Sequence, residues 1–484
     1  MSDDRTEVLD SALILGDRRV TESLGGVLDH INPATGKVSK TFPVASAEEV
    51  DEAVAAARRA FEEWRRWSPD ARRDALIRVA ALLEDHGRDL GMISSLEGGQ
   101  PFSEHGGWYP ALWFRYYAGW ADKITGEHIK PFPFPGLDFT VPEPVGVVGL
   151  FVASNGPIGF CGMAGAPALA AGCCLVIKTP ENAPFSSVVF ARLCQEAGIP
   201  AGVVNVIHGG PEVGNALVTH PDVDKISFTG GTATARKLQE ASASTLKPLV
   251  LELGGKSANI IFDDADIDTV IPMSARFTFN AGQGCSMPTR MLVQRTVYER
   301  VIDGVADIVN KVVVGRPFEP GVTMGPVMSE AAANRILGMI AEAENSAAGH
   351  VLMGGHRMGG ELADGFFIEP TMLIDVRNDT AIAQTEIFGP VLCVIPFDDE
   401  DEAIALANGT SYGLAAYAQT SNMNRARRLI DSLKAGTVHI NSTGPGPVSP
   451  ASPFGGIKQS GYGRQGSRLG LEEFLTYKNV YLNI

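Results

Sequence analysis

The longest uncharged stretch of the chain lies between Glu143 and Lys178. It is long enough to cross a bilayer, but Pro144, Pro157, Pro167 and seven glycines cut it into pieces. Residues 145–152 are a continuous apolar run of the kind found in buried strands. Residues 158–171 suit a helix rich in small side chains, and 174–177 is again strand-like. A βαβ unit covered on both faces accounts for this pattern better than a membrane span. The alternation continues, with strands expected at 175–178, 203–207 and 225–228 and helices at 186–197, 212–219 and 234–242. Such alternation indicates an α/β fold with a doubly wound parallel sheet. A second alternating region extends from about 258 to 436, with strand candidates at 293, 312–314, 367–373, 391–396 and 437–441.

Upstream, residues 1–30 read as a strand-rich, loosely packed leader. Ser46-Ala47-Glu48-Glu49 is a capping box that opens an alanine-rich helix through Trp64. A second helix is expected from about 70 to 86. Residues 108–120 carry seven aromatic rings, among them Trp108, Tyr109, Trp113 and Tyr117, and read as a helix packed through them. Residues 131–136 (Pro-Phe-Pro-Phe-Pro-Gly) form a rigid connection. The apolar strand at 475–484 would leave an open edge unless another segment or subunit pairs with it. There is no internal repeat or low-complexity tail.

Composition is that of a soluble globular protein with room for two or three domains: 484 residues, 45% hydrophobic and 20% charged. A formal charge of −16, with no long basic run, disfavours nucleic acid and anionic membranes as partners. No signal peptide is expected at Met1-Ser2-Asp3-Asp4-Arg5, where no charged n-region precedes an apolar h-region. Cys161, Cys173, Cys174, Cys194, Cys285 and Cys393 form neither a disulfide framework nor a zinc motif, so no metal is expected and the cytoplasm is the expected compartment.

The chemistry concentrates in two runs of small residues. Cys285 ends Asn280-Ala281-Gly282-Gln283-Gly284-Cys285, and Glu252 opens Glu252-Leu253-Gly254-Gly255-Lys256-Ser257. A lone cysteine is ordinarily a small core residue, but a core cysteine does not need Gly282, Gly284 and Ser286 around it. Glu252 ends the apolar strand-like run from Leu249, where a carboxylate acquires a raised pKa and can act as a base. A thiol nucleophile and a water-activating carboxylate suggest covalent chemistry on a carbonyl followed by hydrolysis. Phe228-Thr229-Gly230-Gly231-Thr232 lies between a strand and a helix; a plain turn and a phosphate cradle fit it equally. Lys178-Thr179-Pro180-Glu181 ends a parallel strand, where a Lys and a Glu can hold ribose hydroxyls or form a surface ion pair.

Together, and in this order, these motifs resemble the aldehyde dehydrogenase superfamily. Glu252-Leu-Gly-Gly-Lys-Ser, Gly282-Gln-Gly-Cys285, Glu386-Ile-Phe-Gly-Pro390 and Pro453-Phe-Gly-Gly-Ile-Lys458 carry the resemblance, which extends from about Ile31 to Lys478. It implies NAD(P)-dependent oxidation of an aldehyde to an acid. Cys285 would attack the carbonyl, Asn155 and the Cys285 N–H would hold the oxyanion, and Glu252 would activate water against a thioester. Implied cofactor contacts are Ser154, Lys178, Glu181, Gly210, Gly214, Phe228, Gly230, Gly231, Thr232, Leu253, Glu386 and Phe388. Glu181 argues for NAD over NADP, because a carboxylate repels a 2′-phosphate.

The resemblance also implies two doubly wound open-sheet domains and a small bridging sheet. The NAD-binding domain would use residues 1–120 and 142–253, the catalytic domain 254–464, and the bridge 121–141 and 465–484. Pairing through the bridge would give a homodimer or homotetramer.

Departures from the family pattern bear on the substrate. Ala153-Ser154-Asn155-Gly156 replaces the usual Pro-Trp-Asn-Phe, and 441–454 has no aromatic before Phe454. A widened tunnel walled by Gly156, Phe160, Met163 and Phe454 predicts a branched, cyclic or aromatic aldehyde over a short or charged one. Three other functions compete with this one. Intact Glu252 favours water over CoA as acyl acceptor. The retained Cys285, Glu252 and Asn155 weigh against a non-catalytic relative, and the nucleotide residues weigh against a thiol esterase.

Overall fold

The computed structural model describes residues 4–442 and 448–483. Among the described residues the chain builds two large sheets. The first has eight strands, in the spatial order Gly461–Tyr462, Leu249–Leu253, Lys225–Gly230, Val147–Phe151, Cys174–Lys178, Val204–Ile207, Leu13–Leu15 and Arg18–Val20. The five from Leu249–Leu253 to Val204–Ile207 are parallel. Every residue of Val147–Phe151, Cys174–Lys178 and Val204–Ile207 is buried, which explains their continuous apolar character. Strand order reverses on either side of Val147–Phe151, and that reversal opens a crevice at the carboxyl ends of the strands.

The second sheet has seven strands, in the order His350–Met353, Thr371–Ile374, Val391–Phe397, Arg290–Gln294, Ala258–Ile261, Ala415–Gln419 and Thr437–Ile440. All its pairings are parallel except that of His350–Met353. A three-stranded antiparallel sheet stands apart: His128–Ile129, Leu137–Pro144 and Leu475–Leu482. Its outer strand, Leu475–Leu482, has no partner on its far side among the described residues. Gly461–Tyr462, inside the expected catalytic segment, pairs with Leu251 and Glu252 and so returns the chain to the first sheet.

Local chemistry sets the helix starts. Ser46 Oγ accepts from the Glu49 N–H at 3.2 Å while Glu49 Oε2 accepts from the Ser46 N–H at 2.7 Å, the reciprocal box that opens Ala47–Trp64. Several expectations need correction. The leader is not loose: Leu9, Leu13, Ile14 and Leu15 are buried, because Leu13–Leu15 seals the sheet edge. Among the described residues, 312–314 belong to none of the sheets: Val314 makes an isolated bridge to Met324 and Val313 is exposed. The strand expected over 367–373 begins at Thr371, after Pro370, although Phe367 and Ile368 are buried. The helix expected over 158–171 is continuous but widens into a π-turn at Cys161–Gly165. The helix Gly87–Gly98, which buries Leu90, Ile93 and Leu96, was not among the expected elements.

Candidate active site

Glycines hold the reactive motifs together. A Cβ at Gly254 would lie 2.0 Å from Glu386 Oε2, and one at Gly255 would lie 2.6 Å from the Cys285 carbonyl oxygen. One at Gly282 would lie 2.0 Å from the Gly389 carbonyl oxygen. Three segments distant in sequence therefore touch through backbone, with no room for side chains. The approach to Cys285 is a strained turn: Asn280, Ala281 and Gly282 have successive φ of 48°, 50° and 71°. Two non-glycine residues in that region cost about 1–2 kcal/mol each. Phe388, before Gly389, also has a positive φ of 51°.

Asn155 is clamped beside this turn. Its Nδ2 donates to the Gln283 carbonyl at 3.1 Å, and its own carbonyl accepts from Gln100 Nε2 at 2.8 Å and Asn280 Nδ2 at 3.3 Å. Gln283 is fixed in turn, its Oε1 accepting from the Met328 N–H at 3.0 Å. An amide carries two N–H donors, and one of them remains beyond the Gln283 contact.

Glu252 is the penultimate residue of the strand Leu249–Leu253, is only 2% exposed, and has no hydrogen-bond partner on either carboxyl oxygen. Burial, with repulsion from Glu386 added and a smaller opposing pull from Cys285, raises its pKa to about 8. Burial and the two carboxylates, Glu252 and Glu386, push the Cys285 thiol well above its ordinary value. Burial likewise raises Glu386 to about 7, although the Gly255 N–H donates to its Oε1 at 3.2 Å. Lys178 is buried, which lowers its pKa, and its Nζ lies 3.3 Å from Glu181 Oε2.

Two cavities meet at Cys285. One, of about 660 Å³, follows the strand-order reversal of the first sheet. It brings together Ser154, Asn155, Lys178, Glu181, Gly210, Gly214, Phe228, Gly230, Gly231, Glu252, Leu253, Cys285, Glu386 and Phe388. Gly231 caps the helix Thr232–Ser242 and Gly210 caps Pro211–Thr219, so two helix N-termini face this cleft. Thr232 is the exception among the expected contacts: it does not line the cleft, and its hydroxyl donates to the Gln459 carbonyl at 3.1 Å. Lys237, Asn182 and Asn215 line it and carried no motif.

The other cavity, of about 540 Å³, is lined by Asn155, Gly156, Phe160, Met163, Cys285 and Phe454. A Cβ at Gly156 would meet nothing within 4 Å. The helix Trp108–Ala118 does more than pack its rings: Trp113, Phe114 and Tyr117 are buried, but Trp108 and Tyr109 also line this cavity. Gln100, Arg276, Phe279 and Met287 line it too; none stands in a short motif. Part of the loop expected as tunnel wall, residues 443–447, lies outside the described residues.

The aldehyde dehydrogenase family model matches residues 20–480. The chain belongs to the aldehyde dehydrogenase family. It is an NAD-dependent oxidoreductase acting on aldehydes. An aldehyde dehydrogenase of Emericella nidulans is 43% identical over 95% of this chain and 92% of its own length. The NAD+ complex of an aldehyde dehydrogenase from Bacillus cereus superposes with a TM-score of 0.95 at 37% identity, covering 100% of this chain and 99% of that one. Betaine aldehyde dehydrogenase from Staphylococcus aureus, also with NAD+, gives 0.95 at 34% identity over 100% of this chain and 97% of its own. Among the described residues no helix is long and apolar enough to cross a membrane, and no cluster of His, Cys, Asp and Glu is placed to hold a metal.

Proposed function

We propose that Cys285 attacks an aldehyde arriving through the 540 Å³ cavity while NAD occupies the 660 Å³ cleft. The observation that carries this reading is the position of Cys285, which with Asn155 and Phe160 lines both cavities, and the unpartnered Glu252 carboxyl on the cleft side. The cleft suits a dinucleotide. Two helix N-termini face it, Lys178 and Glu181 stand at a strand end, and Glu386 and Phe388 close the end nearest Cys285. When bound there, NAD supplies the hydride acceptor.

The free N–H of Asn155 and the Cys285 N–H hold the oxyanion of the thiohemiacetal, a contribution of about 3–4 kcal/mol per donor in comparable sites. After oxidation the acyl group is a thioester on Cys285. Glu252, as a carboxylate, takes a proton from water and releases the acid. Its burial without a partner makes it a base poised near neutral pH, which favours water over CoA as acceptor. The strand end at Glu181 favours NAD over NADP. The aldehyde is medium-sized or bulky, with an apolar body set against Phe160, Met163 and Phe454. Chains associate as a dimer or a dimer of dimers through the open edge of Leu475–Leu482, where Tyr477, Tyr481 and Leu482 are exposed.

NADH formation with an aldehyde panel tests this. C285A should abolish turnover. E252Q should give a single burst of NADH, one per site, without sustained turnover and without rescue by CoA. Sustained turnover by either variant overturns the assignment.

A further inference from the structure

The two oxyanion donors come from different sheets. Asn155 follows Val147–Phe151, a strand of the first sheet. Cys285 lies between Ala258–Ile261 and Arg290–Gln294, strands of the second. For one oxygen to receive both the Asn155 amide N–H and the Cys285 backbone N–H, the seam between these segments must be held to a fraction of an ångström.

The Asn280 side chain spans that seam. Its Nδ2 lies 3.3 Å from the Asn155 carbonyl oxygen and 3.2 Å from the Gln283 carbonyl oxygen. Both partners only accept, so the nitrogen of the amide must face them, and its two N–H groups serve one each. The bonding is closed on both sides. The Asn155 carbonyl also accepts from Gln100 Nε2 at 2.8 Å, and the Gln283 carbonyl from Asn155 Nδ2 at 3.1 Å. Each oxygen has two lone pairs, and both are used. Asn280 is held in turn by Gln283, whose backbone N–H and side-chain Nε2 donate to the Asn280 carbonyl at 3.0 and 3.1 Å. Its φ of 48° suits the residue as well, because Asn enters the left-handed region more readily than most side chains.

We propose that Asn280 is the positioning residue of the oxyanion site. Its amide fixes the Asn155 N–H against the Cys285 N–H. Both donors then meet the aldehyde oxygen as sulfur bonds to the carbonyl carbon and the π pair moves onto that oxygen. This rests on the reading of Asn155 as an oxyanion donor. Asn280 lines the aldehyde cavity and not the nucleotide cleft, so its effect falls on the chemical step and spares coenzyme binding.

Two variants test this. Asn280→Gly removes the amide and relieves the backbone. Asn280→Asp keeps the shape and the tolerance for positive φ, but sets oxygens against the two carbonyls. Single-turnover NADH formation, with the full chain in excess over benzaldehyde, should slow about 10- to 100-fold in both. The steady-state KM for NAD should stay native. A double-mutant cycle with Asn155→Ala decides the matter: with that donor gone, Asn280→Gly should cost no more than about threefold further. If it slows the Asn155→Ala protein as much as the native one, or if Asn280→Asp reacts at the native rate, the inference fails. A KM for NAD that rises with the loss of rate marks a general structural role and also overturns it. An unchanged rate in Asn155→Ala alone would instead remove the oxyanion reading beneath it.

Discussion

Gly254, Gly255 and Gly282 have no room for a side chain, whereas Gly156 and Gly231 face open space. The first set lies where backbone meets backbone or carboxylate. It brings Glu386, the cysteine turn and the Phe388-Gly389 turn into contact, and so fixes the reactive groups. The second set borders the two cavities and leaves volume for ligands. The same residue type thus builds the chemistry in one region and the selectivity in the other. Substitutions in the first region should damage every substrate alike; substitutions in the second should redistribute activity among substrates.

Gly282→Ala is the strongest test of the closed set. The new methyl would meet the Gly389 carbonyl at 2.0 Å, and the φ of 71° disfavours any side chain. Neither conflict is relieved by a rotamer change, because both are backbone. Strain plus overpacking costs about 3 kcal/mol or more. Displacement of Cys285 by even an ångström costs roughly 100-fold in rate. The expected result is a fall in kcat/KM of about 100-fold for all aldehydes, with a melting temperature lower by roughly 5 °C or more. Unchanged kinetics would show that the cysteine turn does not depend on this contact.

Next in size is the pH dependence that the closed region imposes on Glu252. With its pKa raised to about 8 by burial and by Glu386, the base form is scarce below that pH. Thioester hydrolysis should fall about tenfold per pH unit beneath it. The stability effect has a definite sign. The folded carboxyl holds its proton over a range in which the unfolded one, with an ordinary pKa, has released it. Stability from this group is therefore complete below the unfolded value and declines as pH rises through about 8. Glu252→Gln removes the penalty, so the variant should melt higher than the native protein at pH 8 and about equally at pH 5. Thermal melts at the two pH values check this; a lower melting temperature at pH 8 would contradict it.

In the open set, Gly156→Phe places a ring where a Cβ meets nothing within 4 Å. It should fold normally and lower the ratio of kcat/KM for an aryl aldehyde to that for acetaldehyde by roughly 10- to 100-fold. Parallel loss on both aldehydes would mean that Gly156 belongs with the closed set instead.

The two regions also differed in how far the sequence disclosed them. Cys285, Glu252 and the glycines around them stand in contiguous motifs, because a backbone that must touch backbone demands small residues at fixed positions. Parallel strands such as Val147–Phe151 were legible because burial on both faces leaves an uninterrupted apolar run. The cavity wall was less legible. Trp108 and Tyr109 open one helix while Gln100 and Phe279 come from other segments, and nothing local marks a ring or an amide as facing a ligand rather than a neighbour. Thr232 shows the converse: its place in a turn motif says nothing of its side chain, whose hydroxyl donates to the Gln459 carbonyl. The 312–314 run failed because β-branched residues favour extended backbone without supplying a sheet edge to pair with.

The smallest expected effect lies at the far end of the nucleotide cleft. Glu181 Oε2 sits 3.3 Å from Lys178 Nζ, and a Cβ at Gly210 would approach Glu181 Oε1 no closer than 3.6 Å, so the carboxylate has space around it. Glu181→Ser removes a negative charge from a partly exposed position without creating a clash. Burial already lowers the Lys178 pKa and Glu181 partly restores it. Loss of Glu181 leaves that ammonium seeking another anion, and a 2′-phosphate is one. Solvent screening keeps the change modest, so the NADP-to-NAD ratio of kcat/KM should rise about tenfold. The rate with saturating NAD should hold, because the substitution touches neither Cys285 nor Glu252. An unchanged ratio would show that coenzyme choice is made elsewhere in the cleft, with Lys237 the next cation to test.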